Sequence, residues 1–550
     1  MAKTEEVTDV LIVGAGVSGL IAAKHLCEAG MRVVCLEQGE RVDAGEFWGD
    51  KPEYDLMVQR RWHPNPNVRD LEADYPIDTG RSDMPIHLYN AVGGSSILYG
   101  AHWQRFKPSD FKVRTLDGVA ADWPFTYEDL EPFYDAMDIE VGVSGMGGDP
   151  AFPRLNAPPL PALPVGRIGA KAIGGMHKLG WHWWPAPNSI PSKPWRGRNA
   201  CALRGTCTSG CPEGAKASFD LTHLPDALKA GLKLITGARV RQIQVNADGL
   251  ATGVTWIDRN GRERMQRAQT VIVCANAVGT PRLLLNSATA AEPAGLANSS
   301  GLVGRNLMLH PYVTVVAHFD ENLEGWVGPA GQTIQSMQFY ETDATRGFVR
   351  GAKWHVMPTG GPLGTLGMGD GSFDQSWGAA FHANRRSKFG SSFDWGILLE
   401  DLPDAANRVE LADDRTDSDG LPGVRITYNF SDNTRRMADW HLARAKQAAE
   451  AAGARATTVM NLPSDRALHE TRGAMQTTGH LMGTCRMGND PALSVVDQFG
   501  RAHDVPNLYI YDGSVFVTAS AVNPTGHIAA VALRSVTNLI AERRNQKVPH

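Results

Sequence analysis

The stretch "DVLIVGAGVSG" at residues 9–19 limits what this chain can fold into more than any other part of it. "DVLIV" is an apolar run that reads as a buried parallel strand. "GAGVSG" at 14–19 fits G-x-G-x-x-G, Leu20 to Ala29 has helical spacing, and "RVVCLE" at 32–37 is the next strand. The three together make a βαβ unit. In such a unit Gly14 makes the tight turn, Gly16 lets the backbone approach a pyrophosphate, and Gly19 packs helix on strand. The helix N-terminus stabilises the anion. Glu37 ends the second strand and can accept hydrogen bonds from a ribose diol. No arginine follows it immediately, which disfavours a 2′-phosphate. The fingerprint by itself does not separate NAD from FAD.

The far end of the chain bears on that choice. "NLYIYDGSVF" at 507–516 places Asp512 and Gly513 just after a strand, and a long helix, "NPTGHIAAVALRSVTNLIAERR", follows. An extended FAD needs such a second loop for its pyrophosphate and ribityl chain. Between the ends lie a second glycine loop, "NAVGGSSILYGAHW" at 90–103, and another strand–turn–helix, "QTVIVCANAVGTPRLLLNS" at 269–287, with Pro281 near the helix start. Residues 233–245 and 251–264 alternate like an antiparallel pair with Asp258 to Gly261 as the turn. Residues 43–85 look irregular, and 148–166 is a Pro-dense connector. From 306 to 465 short strands and a helix at 434–453 suggest a separate sheet. The expected fold class is α/β. A Rossmann-like FAD-binding domain on a parallel sheet takes residues 1–305, with insertions at about 43–85 and 148–230, together with 466–550. It is interleaved with an α+β substrate domain on an antiparallel sheet at 306–465.

Composition removes several function classes. Basic residues number 54 against 59 acidic, for a net charge of −5. That leaves no basic footprint for nucleic acid. No run of eighteen apolar residues offers a membrane span. The first eight residues are polar and unlike a secretory leader, so a cytoplasmic location is the expectation. Seven cysteines, odd in number, read as reduced thiols.

One segment stays unexplained by nucleotide binding: "HLMGTCRMG" at 480–488, a lone histidine in a tight glycine turn. Its place is supplied by a resemblance. The fingerprint, "VGGSS" at 92–96, "NAVGTPRLLLNS" at 276–287, "HLMGTCRMG" and "YDGSVFVTASAVNPTGHIAAVALR" stand in the order found in the glucose–methanol–choline (GMC) oxidoreductases. The chain resembles that family over its FAD-binding parts, and sugar-dehydrogenase or pyranose-oxidase-like members most. The resemblance implies an FAD enzyme in which His480 lies over the flavin near N5 and Asn523 is its partner. His480 would take the hydroxyl proton of an alcohol, a task suited to neutral imidazole, while Asn523 orients the substrate oxygen. Asn523 also suits a helix N-cap before Pro524. Further cofactor contacts implied are Gly93, Gly94, Ser95, Val240, Asp512, Gly513, Asn523, Pro524 and Thr525. His527 reads as packing or a minor neighbour.

His102 of "GAHWQR" resembles the histidine that carries a covalent flavin bond in pyranose-oxidase-like members. The spacing departs from theirs, so contact with flavin or backbone is favoured over a bond. Cys201, Cys207 and Cys211 resemble cysteine-rich insertions where some GMC dehydrogenases hold an iron–sulfur cluster, and three thiolates suffice for three irons. A glycine-rich loop with free or paired cysteines is the favoured reading. "WHWWP" at 181–185 reads as a core or interface cluster ahead of a sugar-stacking platform. The expected reaction is oxidation of an alcohol by hydride transfer to flavin N5. A sugar or glycoside is the first choice of substrate, with aryl alcohols, polyols and sterols behind it. Electrons then pass to a quinone, a redox protein or oxygen. The alternative from another class is a lyase of the hydroxynitrile type.

Overall fold

Thr8–Val13 is apolar on both faces because parallel neighbours flank it, Val10 and Ile12 pack with Leu20 and Leu26, and Leu11 and Val13 belong to a second core with Ile243, Val254 and Trp256. The computed structural model describes residues 6–51, 74–152, 156–359, 377–463 and 479–546. There this strand pairs in parallel with Val33–Leu36, Val10 opposite Val33, and with the last part of Glu263–Val273, Leu11 opposite Val271. Lys233–Ile235 extends the sheet beyond Val33–Leu36, and Leu508–Ile510 pairs on the other side of Glu263–Val273. The C-terminal segment thus completes a sheet that the N-terminus begins. The helices Val17–Glu28 and Thr525–Gln546 pack against each other over it.

Glu263–Val273 serves two sheets. Its second half is parallel, as above, and its first half runs antiparallel to Ala251–Ile257, which pairs in turn with Arg239–Val245. The expected strand 233–245 is therefore two strands with different partners. The turn joining Arg239–Val245 to Ala251–Ile257 is built on Asn246, whose Oδ1 accepts from the backbone N–H of Asp248 and Leu250. Asp258 to Gly261 does form a turn, but it closes the following hairpin. Pro281 also sits deeper than expected, at the sixth residue of the helix Asn276–Asn286.

The second sheet has six strands in the order Ala456–Met460, Tyr312–His318, Ser392–Leu399, Ala352–Pro358, Ile334–Ser336 and Trp184–Pro185, all neighbours antiparallel. The helices Asp432–Ala451 and Gly166–Leu179 cover one face, where Ile168, Ala172, Leu442 and Ala445 pack on Val313, Val315, Trp354 and Trp395. Side chains alternate along a strand. With Trp354 and Val356 in that core, Lys353 and His355 point to the opposite face.

Two pieces lie across the expected boundaries. Residues 166–185 pack on the second sheet because their apolar side chains find partners there, Trp181 edge-on to Phe339 and Trp354. "WHWWP" is accordingly a packing cluster. Arg408–Thr416 and Pro422–Tyr428 form a three-stranded sheet with Ile77–Ser82, and this sheet packs on the helix Asn276–Asn286 of the nucleotide domain.

Candidate active site

Two of the three fingerprint glycines, Gly14 and Gly19, are held by contacts that forbid a side chain. A Cβ on Gly14, whose φ is +99°, would stand 2.5 Å from the Cys274 carbonyl oxygen, and one on Gly19 would stand 1.9 Å from the Gly14 carbonyl oxygen. Gly16 is the N-cap of Val17–Glu28 with no side-chain cap, and no protein atom lies within 4 Å of where its Cβ would be. The first N–H groups of that helix are therefore left for an anion. The second glycine loop closes over the same spot: Gly93 N–H donates to the Ala15 carbonyl, and a Cβ on Gly94 would come within 3.1 Å of the Gly16 Cα. Ser95 is exposed on this loop, its hydroxyl accepting from Tyr89 N–H.

Glu37 is buried at the end of its strand and accepts from Ala15 N–H and Gly39 N–H, each at 2.8 Å. Burial pushes its carboxyl upward, and those hydrogen bonds oppose the shift. The Ala238 N–H bonds the Glu37 carbonyl, which brings the strand bearing Val240 alongside. At the far end Asp512 accepts from Ser514 N–H at 2.8 Å and from the Thr280 hydroxyl at 2.5 Å. A buried acid after one strand, an open helix N-terminus and a second acid–glycine turn across the sheet fit an extended dinucleotide.

The glycine turn at 480–488 docks on this frame. A Cβ on Gly483, with φ +91°, would strike the Asn306 carbonyl oxygen at 2.3 Å. Gly483 N–H donates to the Gly513 carbonyl, and Cys485 N–H to the Ser514 carbonyl. Pro281 has no N–H for the Ala277 carbonyl one turn back, and the Thr484 hydroxyl takes that place at 2.9 Å. Met482 and Met308 exchange backbone hydrogen bonds at 3.1 and 3.0 Å, which sets His310 beside His480.

His480 is partly buried and makes two side-chain contacts that define its protons. His310 Nε2 lies 2.9 Å from the Ser520 carbonyl, which only accepts, so this nitrogen carries the hydrogen. Burial pushes His310 down to about 4, so at neutral pH it has one ring proton, and its Nδ1 is an acceptor. His480 Nδ1 lies 2.8 Å from that atom and must donate. Its Nε2 is left with a lone pair, 3.4 Å from the Asn523 amide nitrogen, which donates to it. Burial, His310 and Lys353 hold the His480 imidazolium well below its usual range. The result is a neutral imidazole with its basic nitrogen presented beside a carboxamide donor.

The sequence reading missed His310 and three further side chains that complete the cluster. Lys353 Nζ lies 2.5 Å from Asn523 Oδ1, 3.1 Å from Gln332 Oε1 and 3.1 Å from His102 Nδ1. His355 Nε2 meets the Tyr312 hydroxyl at 3.1 Å, and its ring stands edge-on to His102. Lys353, His355 and Gln332 are at most 1% exposed. The available signal was a lysine and a histidine at alternate positions, 353 and 355, of the strand "AKWHVMP".

The remaining expected residues divide. Pro524 is buried, and the long C-terminal helix opens at Thr525, one residue later than the sequence reads, so Asn523 is not its N-cap. His527 is a packing residue, stacked on Phe106 at 3.8 Å with the Tyr134 hydroxyl on Nδ1. Cys201, Cys207 and Cys211 are free thiols packed around Ala101, Ile190 and Ala215. Burial raises Cys201 to about 12 and Cys207 upward, which disfavours thiolates. Among the described residues no group of three or more His, Cys, Asp or Glu side chains is arranged to hold a metal ion. Nor is any helix among them long and apolar enough to cross a membrane.

Sequence profiles described as GMC oxidoreductase match residues 8–312 and 403–532. The chain is 40% identical over 544 residues to a 2-methyl-1,2-propanediol dehydrogenase of Mycolicibacterium austroafricanum, covering 97% of this chain and 95% of that one. It is 29% identical to the fructose dehydrogenase large subunit of Gluconobacter japonicus, covering 97% of each. A solved structure of Aspergillus oryzae RIB40 formate oxidase, studied for its FAD modification, superposes with a TM-score of 0.67 at 17% identity, over 99% of this chain and 100% of that one.

Proposed function

The chain belongs to the GMC oxidoreductase family, and from that premise we propose that it oxidises one hydroxyl of a small polyhydroxylated alcohol, with His480 as the base and Asn523 as the partner that orients the oxygen. FAD, the family's cofactor, supplies the hydride acceptor when bound. Gly14, Gly16, Gly19, Glu37, Gly93, Gly94, Asp512 and Gly513 would hold it. The observation that carries the reading is the proton pattern around His480. A chain of hydrogen bonds running from the Ser520 carbonyl leaves the lone pair on Nε2, next to a donor amide. A substrate hydroxyl placed there gives its proton to Nε2 while Asn523 Nδ2 donates to its oxygen. A base of this kind contributes about 10²- to 10⁴-fold.

The substrate class first in line is a vicinal diol, after the printed activity of the relative at 40% identity. Sugars come next, after the fructose dehydrogenase. The substrate-sheet face supports a second hydroxyl. His355 Nδ1 is buried and has no hydrogen-bond partner in the described structure, so a ligand hydroxyl that paired with it would relieve a cost of about 1–3 kcal/mol. FAD is held without a covalent bond in this reading, because Lys353 engages His102 Nδ1 and the other side of the ring is packed on Gly331, where a Cβ would stand 2.6 Å from Nε2.

The test is an anaerobic bleaching screen of the holoenzyme over 1,2-diols, sugars, glycosides, aryl alcohols and sterols. Bleaching by diols or sugars supports the proposal. A flavin that no alcohol bleaches contradicts it and favours the lyase. Re-oxidation of the bleached enzyme by a quinone, a redox protein or oxygen then identifies the acceptor.

A further inference from the structure

Lys353 sits at the centre of this hydrogen-bond chain, and as an ammonium its side chain offers three donors and no acceptor. The two carbonyl ends of the chain determine its polarity. At one end Gln332 Nε2 donates to the Pro187 carbonyl at 2.8 Å, which turns Gln332 Oε1 toward Lys353. At the other end the Ser520 carbonyl fixes His310, and through it the lone pair on His480 Nε2. Between them stands Asn523, whose amide oxygen and nitrogen are interchangeable in shape. A donor at Lys353 requires Oδ1 to face it, and Nδ2 then faces His480. If the carboxamide turned over, its oxygen would meet the lone pair of Nε2 and would repel a substrate hydroxyl oxygen as well.

We infer that Lys353 is a positioning residue for the proton-accepting step. By donating to Asn523 Oδ1 it sets the carboxamide so that Nδ2 faces both His480 Nε2 and the oxygen that loses its proton. This inference rests on the proposed alcohol oxidation. Three acceptors converge on Nζ, one for each hydrogen of an ammonium. Against that, burial drives the group well below its usual range. Keeping such a side chain in an apolar strand is costly to the fold, and packing alone supplies no reason for it. Lys353 also spans the two halves of the molecule, since its strand belongs to the substrate sheet while Asn523 lies two residues before the last helix of the nucleotide domain. Among the described residues, the charged and titratable neighbours of His480 are His310, Lys353, His102 and His355. An ammonium at Lys353 repels an imidazolium at His480, so its loss raises the pH at which His480 takes a proton.

The experiment compares the FAD-loaded wild type with Lys353→Met, which keeps length without a donor, and Lys353→Arg, which keeps a donor with no acceptor. FAD content and melting temperature are recorded first. The limiting rate of anaerobic flavin reduction is then measured across pH with the alcohol that bleaches the wild type best. Lys353→Met is expected to reduce about 10- to 100-fold more slowly at pH 7, with the half-saturating substrate concentration within threefold of wild type. The acid limb of its profile is expected to move to higher pH, and Lys353→Arg to recover part of the rate. Should Lys353→Met lose its FAD, Gln332→Leu is read in its place and is expected to slow reduction at least threefold. Wild-type rates with an unmoved acid limb overturn the inference, as does an equal loss in both lysine variants with no movement of the limb. A wild type that no alcohol reduces is a different result, and it overturns the proposed function itself.

Discussion

His310 touches no reacting atom, yet its removal is expected to disable the base. In His310→Leu the acceptor 2.8 Å from His480 Nδ1 is gone, and the N–H it received has no replacement inside the cluster. An unsatisfied buried donor costs about 1–3 kcal/mol. At about 1.4 kcal/mol per factor of ten, that favours the wrong tautomer, or a displaced ring, by about 5- to 150-fold. The limiting rate of anaerobic flavin reduction should fall by about the same factor, since only the form with a free Nε2 can take the proton. His310→Gln, whose side-chain oxygen can accept from Nδ1, should lose less. The assay is stopped-flow mixing of FAD-loaded protein with the best alcohol at pH 7, absorbance followed at the flavin maximum. A His310→Leu protein that keeps its FAD and reduces within threefold of wild type would refute the tautomer argument.

Three further outcomes are expected. In His355→Leu the half-saturating concentration of a 1,2-diol should rise at least fivefold while that of the matching mono-alcohol stays put; parallel changes would remove the second-hydroxyl assignment. Acid precipitation should release all of the yellow cofactor into the supernatant, and colour retained on the polypeptide would show a bond through His102 or another side chain. Asp401 is buried, with Leu309 N–H and the Tyr428 hydroxyl on Oδ2, and burial pushes its carboxyl up to about 7. A folded value above the unfolded one, about 3.9, means that the native state holds the proton longer. This contribution is therefore full below pH 4 and is lost as the pH rises to 7, by up to about 4 kcal/mol. Asp401→Asn should flatten the fall in melting temperature between pH 5 and pH 8; an unchanged slope would contradict the assignment.

The legible part of this fold was local. Gly14, Gly19 and Glu37 are tied to a turn, a close approach and a strand end within a few dozen residues, and each leaves a pattern that physics fixes. The return of the chain was legible for the same reason, since Asp512–Gly513 follows a short buried strand. What the sequence hid depends on pairing between distant segments. His310 acquires meaning only because Met308 pairs with Met482. Lys353 does so only because its strand lies between Ile334–Ser336 and Ser392–Leu399 with alternate side chains turned away from the helices. Lys233–Ile235 misled because three residues carry too little alternation to announce a parallel partner, while the real turn at Asn246 was spelled out in "NADGL". The inserted pieces at 166–185 and 408–428 crossed the expected boundaries because burial of Trp181 and Val424, not chain position, decides which sheet they join.

The central claim is that His480 Nε2 takes the alcohol proton beside FAD. Its most direct measurement is the limiting rate of anaerobic flavin reduction in His480→Ala, loaded with FAD and saturated with the alcohol that bleaches the wild type. A rate at least about a hundredfold below wild type at pH 7, with the acid limb of the wild-type profile gone, is the expected result. A fully loaded His480→Ala protein that bleaches at close to the wild-type rate, over the same pH dependence, would contradict it.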